Sequence, residues 1–121
     1  MEVLIVVVIL AVLAGLAMPV YIRTVARARE GEGWLALSAI RSAELGYYTE
    51  HEEIFTSDVN DLDIEDPSAP PAGLFDYEIY LDFFCSSPHP CFMALARPRP
   101  TCSECRNLWL DNRGGRNQTA P

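Results

Sequence analysis

The chain opens with an uninterrupted apolar run, Val3 to Ile22, preceded by one acid, Glu2. Twenty residues of α-helix span about 30 Å, the thickness of the hydrocarbon core of a bilayer. A buried carboxylate is costly unless a cation pairs with it, so Glu2 indicates a segment that later meets another charge. Pro19, near the end of the run, lacks a backbone donor and predicts a kink or local unwinding.

Polar and apolar residues then alternate with a helical period. Residues 24–50 contain no proline and are rich in Ala, Leu, Arg and Glu, which are good helix formers. Apolar positions recur at spacings of four and three, so the pattern predicts one helix from Glu2 to about Glu50 with one face packed on a core. Gly31 and Gly33 weaken its middle. The predicted stripe comprises Ala36, Leu37, Ile40, Ala43, Glu44, Tyr47 and Tyr48.

The second half of the chain predicts short strands. Phe75–Phe84 alternates apolar and polar residues almost strictly, and Cys91–Ala96 and Arg106–Asp111 are two further candidates. Tight connections favour an antiparallel β-meander of about three to four strands, covered by the helix stripe. The fold class is therefore α+β, with an apolar segment 1–22 and a head 23–121. Within the head the helix continues to about residue 53, and a loop (54–74), the meander (75–111) and a loose polar tail (112–121) come after it.

Two simpler interpretations of the apolar run stay open. A membrane anchor explains its length and composition. A secretory signal peptide would explain the small residues Gly15 and Ala17, but no basic region precedes the run and the helical pattern continues beyond it.

Charge narrows the classes of partner. The net charge is −8 and every basic residue is Arg. An acidic chain without a basic stripe is a poor candidate for nucleic-acid binding, so no nucleic-acid partner is expected. Arg23, Arg27 and Arg29 follow the apolar run, and a count of positive charges alone would place that end in the cytoplasm.

The four cysteines argue for the opposite side of the membrane and carry more weight. Cys85 and Cys91 flank one tight connection of the meander, whereas Cys102 and Cys105 share the next one, at the opposite end of the sheet. Pairing across a strand length would exceed the roughly 7 Å limit on Cα separation, so we expect Cys85–Cys91 and Cys102–Cys105 disulfides. Disulfides indicate a periplasmic or extracellular head. A zinc site made of the same thiolates is the first alternative, although the spacing of the first pair suits zinc poorly. Redox catalysis by Cys102-x-x-Cys105 is the second.

Other chemistry is sparse. His51 and His89 stand alone, and the acids between Asp58 and Asp66 lack the glycine and the spacing of a calcium loop. Asn117-Gln118-Thr119 matches a glycosylation acceptor, which is a short pattern of low specificity. No catalytic set stands out, so we expect neither an enzyme nor a cofactor nor a metal.

The opening residues, MEVLIVVVILAVLAGLAMP, resemble the N-terminal segment of type IV pilins and of type II secretion pseudopilins. Further segments carry the resemblance into the head. Residues 43–50 (AELGYYTE) and 55–62 (FTSDVNDL) resemble the later part of the helix and the loop after it in short pilins. Residues 75–79 (FDYEI) and 108–114 (LWLDNRG) resemble the first and last strands of their sheet.

The resemblance implies a filament subunit. Such a protein waits in the inner membrane with its head in the periplasm and then joins a helical homopolymer whose core is a bundle of apolar helices. Prepilin peptidase and the pilus assembly machinery are its implied partners. Glu2 matches the acid that in the family pairs with the N-terminal amine of a neighbouring subunit, and Pro19 matches the helix-kinking proline.

The chain departs from the family at its N-terminus. Met1 alone precedes Glu2, whereas in the family an aromatic or Met residue after a cleavage site lies four positions before the acid. The resemblance therefore does not give the cation that Glu2 meets or the methylation of the N-terminus.

Three functions follow from these observations. The first is a subunit of a type IV pilus on the cell surface, serving adhesion, motility or DNA uptake. The second is a pseudopilin of a type II secretion system, but the calcium-binding loop usual in major pseudopilins has no convincing match here. The third is a monomeric, membrane-anchored periplasmic binding domain, which leaves Glu2 unexplained.

Overall fold

One long helix and one small sheet make up the molecule. A computed structural model describes residues 1–68, 73–82 and 90–119. Helix α1 covers Glu2–Glu50. Four strands come after it: β1 at Phe75–Leu81, β2 at Phe92–Pro98, β3 at Asn107–Asp111 and β4 at Arg116–Thr119. The predicted α+β class and the predicted extent of the helix are both confirmed.

The second half of α1 packs on the sheet through the predicted stripe. Leu37, Ile40 and Glu44 are wholly buried, and Glu30 and Gly33 extend the same face toward the N-terminus. The flanking positions are partly buried against the core: Trp34, Ala36, Ala43, Tyr47 and Tyr48. Buried residues recur every three or four positions along this face, as the apolar spacing in the sequence predicts.

Gly33 has a packing reason for its lack of a side chain. A Cβ at this position would lie 2.8 Å from Cδ1 of Leu108 and 3.2 Å from Cε2 of Phe75. Helix and sheet therefore approach each other closely here, and the interpretation of Gly33 as a weak point in the helix misses this role.

The strands form an antiparallel meander in the order β1-β2-β3-β4. In β1, Phe75, Tyr77 and Ile79 are buried while Asp76 is exposed, as the alternation predicts. The core joins the inner side chains of the sheet to α1. Phe55, from the loop after the helix, packs its ring against those of Tyr48 and Phe92.

The end of the chain differs from the expected loose tail. Residues 116–119 form β4 and pair with β3, with Asn117 opposite Trp109. The turn before β4 is fixed by Asp111, whose carboxylate accepts backbone N–H donations from Arg113 at 2.9 Å and Gly115 at 2.6 Å. A polar edge strand has no apolar alternation, which explains why its sequence has the character of a tail.

Part of the predicted structure lies outside the described residues. It comprises Phe83 and Phe84 of the predicted first strand, the positions of Cys85 and His89, and the Cys85–Cys91 disulfide. At Asp82, which the structure describes, the strand prediction is wrong, because β1 ends at Leu81 and Asp82 adopts a left-handed φ of 52°.

Candidate functional site

The most unusual surface is the first half of α1. Its large apolar side chains are between 43 % and 75 % exposed from Val3 to Ile22. The segment is long and apolar enough to cross a membrane, and none of its most apolar stretch is buried. Monomeric soluble proteins rarely leave so large a continuous apolar surface in water, so covering this surface with a membrane or another protein would be favourable.

Glu2 lies in the first turn of α1 and is exposed. A carboxylate at a helix N-terminus is favoured by the unpaired N–H groups and the positive end of the helix dipole. The described residues supply this carboxylate with no ion pair. Any cation that pairs with Glu2 therefore comes from outside the described part of the chain.

Pro19 lies within α1, and the helix continues through it without interruption. The structure thus shows no unwinding at Pro19, in contrast to one of the two predicted outcomes. Pro cannot donate to the carbonyl of Gly15 one turn earlier, so that backbone acceptor lacks its usual partner in the helix.

Arg106 ties the base of the head to α1 by holding the carboxylate of Glu30. Its Nε donates to Oε1 at 3.1 Å, its Nη2 donates to Oε2 at 3.2 Å, and its backbone N–H donates to Oε1 at 3.3 Å. Glu30 is 5 % exposed. The sequence alone did not predict this pair, although Glu30 falls seven positions before Leu37 on the same helix face.

Two further contacts hold the last two strands to the helix. The Nε of Arg41 donates to the carbonyl oxygen of Asn112 at 3.1 Å. The guanidinium of Arg116 lies 5.2 Å from the centre of the Trp34 ring, within the range of a cation–π interaction. The sheet is therefore joined to α1 by charged contacts at several levels along the helix, which favours helix and sheet moving together.

A buried acid joins α1 to the loop after it. Glu44 is wholly buried, and its Oε2 accepts a hydrogen bond from the backbone N–H of Thr56 at 3.2 Å. The hydroxyl of the same Thr56 donates to Oδ2 of Asp61 at 2.8 Å. Oε1 of Glu44 has no hydrogen-bond partner among the described residues. Burial raises the pKa of Glu44 to about 7, against the lowering effect of the Thr56 N–H, and the nearby charge of Asp61 raises it further.

The second cysteine pair forms a disulfide. Cys102 and Cys105 are bonded, with their Cα atoms 5.4 Å apart, and both residues are almost wholly buried between β2 and β3. Cys91 is also buried, just before β2. No cysteine in the described ranges is free.

The remaining candidates are scattered. His51 is exposed and stacks on Tyr47, with ring centres 3.9 Å apart. Asp58 caps the short 3-10 turn at Val59–Asp61 by accepting the backbone N–H of Asn60 at 2.9 Å. Asn117 is exposed on β4. Within residues 1–68, 73–82 and 90–119, no group of three His, Cys, Asp or Glu side chains is placed to hold a metal ion.

Opposite charges lie at the two ends of the second half of α1. Arg23, Arg27 and Arg29 are exposed where the apolar run ends. At the other end an acidic cluster of Glu50, Glu52 and Glu53 is exposed, and the last turn of the helix contains no basic residue.

The acidic cluster is not explained by local stability. Negative charge at a helix C-terminus is unfavourable. Glu52 and Glu53 also adopt left-handed φ values of 56° and 64°, which are uncommon for residues other than Gly.

Comparisons with protein-family models, with curated proteins and with solved structures found no match for the chain.

Proposed function

We propose that this protein is the subunit of a helical filament of the type IV pilus class, anchored in the inner membrane before assembly and exposed at the cell surface afterwards. The observation that carries the proposal is the uncovered apolar half of α1 with Glu2 at its tip. A bilayer covers this surface in the unassembled subunit, and the same surface of other subunits covers it in the filament.

The distribution of charge distinguishes a filament subunit from a simple anchor. An anchor needs apolar length, and a carboxylate at its tip adds only the modest favourable interaction with the helix N-terminus. In a bundle of such helices, an unpaired carboxylate is costly and a paired one is tolerated. Glu2 would therefore select the assembled arrangement in which a neighbouring cation reaches it.

The contacts between α1 and the head suit a structural subunit. The Glu30–Arg106 pair and the packing around Gly33 hold the sheet on the helix, and the Cys102–Cys105 disulfide closes the turn between β2 and β3. A filament that bears mechanical load outside the cell needs a rigid connection between the helices in its core and the sheets on its surface. Disulfides also persist in the periplasm and outside the cell.

The test replaces Glu2 and measures assembly apart from membrane insertion. Glu2→Ala should leave the amount of chain in the membrane fraction unchanged and reduce sheared surface filaments at least tenfold. Glu32→Ala is the matched control, because Glu32 is an exposed acid on the same helix in the head, and it should assemble normally. Normal filaments from Glu2→Ala would remove the role of Glu2 in assembly. Normal insertion of the wild-type chain without any filament would favour an anchored monomer.

A further inference from the structure

The sheet has one edge whose backbone groups point away from any other strand. β1 pairs with β2 on one side, and among the described residues no strand lies on its other side. Just beyond the two ends of this pairing, the backbone N–H of Asp82 donates to the carbonyl of Cys91, and that of Arg99 donates to the carbonyl of Leu74. In an antiparallel pair, residues that bond the neighbouring strand alternate with residues that face away from it. The even-numbered residues of β1 therefore bond β2, and the odd-numbered residues turn their backbone groups to the open edge.

Tyr77 and Ile79 are the central residues of this open edge. Their side chains belong to the core, and the two residues are only 8 % and 7 % exposed. Their backbone N–H and C=O groups have no hydrogen-bond partner among the described residues. Backbone groups in folded proteins are nearly always paired with protein or with water, and an unpaired strand edge is a template for a further strand.

A cleft of about 480 Å³ runs along this edge and separates β1 from the loop after α1. Its volume falls within the range of about 300–1,000 Å³ that is usual for ligand sites in proteins. Residues 77–80 of β1 form one wall. The opposite wall consists of polar side chains from the loop: Ser57, Asp58, Asn60, Asp66 and Ser68. The open edge is thus accessible from the cleft.

The cleft is acidic. Asp58, Asp66 and Glu78 line it, whereas Arg97 is the one basic residue among the described residues of its lining, and its guanidinium donates to Oε2 of Glu78 at 3.1 Å. The other carboxylate oxygen of each acid accepts no hydrogen bond from the described residues. Cationic side chains of a partner would complement this charge, and anionic ones would be repelled.

We propose that the open edge of β1 binds an extended basic segment of another protein, which adds a strand to the sheet within the cleft and places Lys or Arg side chains beside Asp58, Asp66 and Glu78. In recognition of this kind, backbone hydrogen bonds supply affinity and alternate side chains supply specificity. The inference concerns the head of a single subunit, so it goes beyond the proposed filament and does not depend on it.

Hydrogen exchange of single backbone amides tests which edge is bound. The probe is a peptide of four Lys-Val repeats, added to the full chain in nonionic detergent micelles and followed by nuclear magnetic resonance. In the free chain the amides of Tyr77 and Ile79 should exchange faster than those of Glu78 and Tyr80, which bond β2. Saturating peptide should slow exchange at Tyr77 and Ile79 by about tenfold or more, with little change at the other two.

Two further peptides separate backbone pairing from charge. The Lys-Val peptide methylated at every backbone nitrogen keeps its charges but lacks the donors that a new strand needs, and it should not bind measurably. A peptide of four Glu-Val repeats should bind the chain at least about tenfold more weakly than the Lys-Val peptide.

Variants of the chain test the acidic walls. Asp66→Asn/Glu78→Gln retains an oxygen acceptor at both positions and should weaken binding of the Lys-Val peptide by about tenfold at low salt. The matched control, Glu50→Gln/Glu104→Gln, makes the same change of net charge at two exposed acids outside the cleft and should bind as the wild type does.

Several outcomes would overturn this inference. The first is failure of the Lys-Val peptide to bind, and the second is equal binding of its methylated form, since charge alone would then account for the affinity. Protection elsewhere on the head but not at Tyr77 and Ile79 would place the site at another surface. Protection of these two amides without peptide, rising with protein concentration, would assign the edge to a second copy. None of these results bears on filament assembly, which the Glu2→Ala experiment tests separately.

Discussion

Arg106 donates two guanidinium hydrogen bonds to the carboxylate of Glu30, at 3.1 and 3.2 Å, where the sheet packs on the helix. Glu30 is nearly buried, whereas the side chain of Arg106 is 39 % exposed. The pair closes the lower end of the head, next to the exposed apolar half of α1. It therefore joins the sheet to α1 at the end of the packed surface that lies nearest the apolar half of the helix.

Loss of this pair should loosen the head. Glu30→Ala removes three hydrogen bonds and should lower the free energy of unfolding by about 1–3 kcal/mol, because bonds to charged groups contribute more than neutral ones. Urea unfolding of the full chain in detergent micelles, followed by near-ultraviolet circular dichroism, measures the change. Arg97→Ala is the control, since Arg97 and Glu78 form an exposed pair that should contribute less than about 1 kcal/mol. Equal losses in the two variants would contradict a special role for Glu30.

The buried acid Glu44 should make the head less stable as pH rises. The pKa of Glu44 in the folded state is about 7, above its ordinary value of 4.5, so the folded state binds more protons than the unfolded state between these values. The stability that this group contributes is then present below about pH 4.5 and is lost as pH rises through about 7. Glu44→Gln should flatten this dependence. At pH 8 its free energy of unfolding, measured with urea, should exceed that of the wild type by about 1–3 kcal/mol.

The control for that measurement is Glu50→Gln, an exposed acid six residues along the same helix. It should leave the pH dependence as in wild type. The free energy of unfolding should fall more between pH 5 and pH 8 in the wild type than in Glu44→Gln. An equal fall in both proteins would refute the assignment to Glu44.

The two glycines near the middle of α1 should respond oppositely to alanine. Gly33→Ala places a methyl group 2.8 Å from Leu108 and should destabilise the head by about 1–3 kcal/mol. Gly31→Ala meets open space and should stabilise the unassembled chain by up to about 1 kcal/mol through helix propensity. Thermal unfolding of both variants side by side measures the difference, and a shift of the same sign in both would contradict the close packing at Gly33.

The Cys102–Cys105 disulfide should contribute modestly to stability. The double variant Cys102→Ala/Cys105→Ala opens a short loop and should lower the free energy of unfolding by about 2 kcal/mol on the loop-entropy model. Chemical unfolding of the oxidised wild type and of the variant gives the comparison. An unchanged midpoint would show that burial of this turn, and not the bond, holds it in place.

Local patterns in the sequence predict much of this fold. The extent of α1 can be predicted because its apolar positions repeat with a period of 3.6 and no proline follows Pro19 before the end of the helix. The alternation in β1 likewise predicts its buried face. The edge strand β4 escapes prediction because its order comes from pairing with β3 and from the Asp111 turn, and neither leaves a periodic trace in four polar residues.

Some features of the candidate site can likewise be predicted from the sequence, whereas others depend on the tertiary structure. Glu2 and the apolar run are visible in the sequence because they conflict with the composition of a soluble helix. Glu44 falls on the predicted packed face, but its raised pKa depends on burial beneath a loop, with Thr56 and Asp61, whose path only the structure gives. The importance of Gly33 likewise depends on Leu108, which lies 75 positions away in sequence.

Helical cryo-electron microscopy of sheared surface material from the source cells tests the central claim most directly. We expect long fibres into which this chain can be built, with the first half of α1 in the core and a cation from a neighbouring copy beside Glu2. Surface material without such fibres, while the chain remains in the membrane fraction, would contradict a surface pilus subunit. A short periplasmic polymer or an anchored monomer would then be the better account.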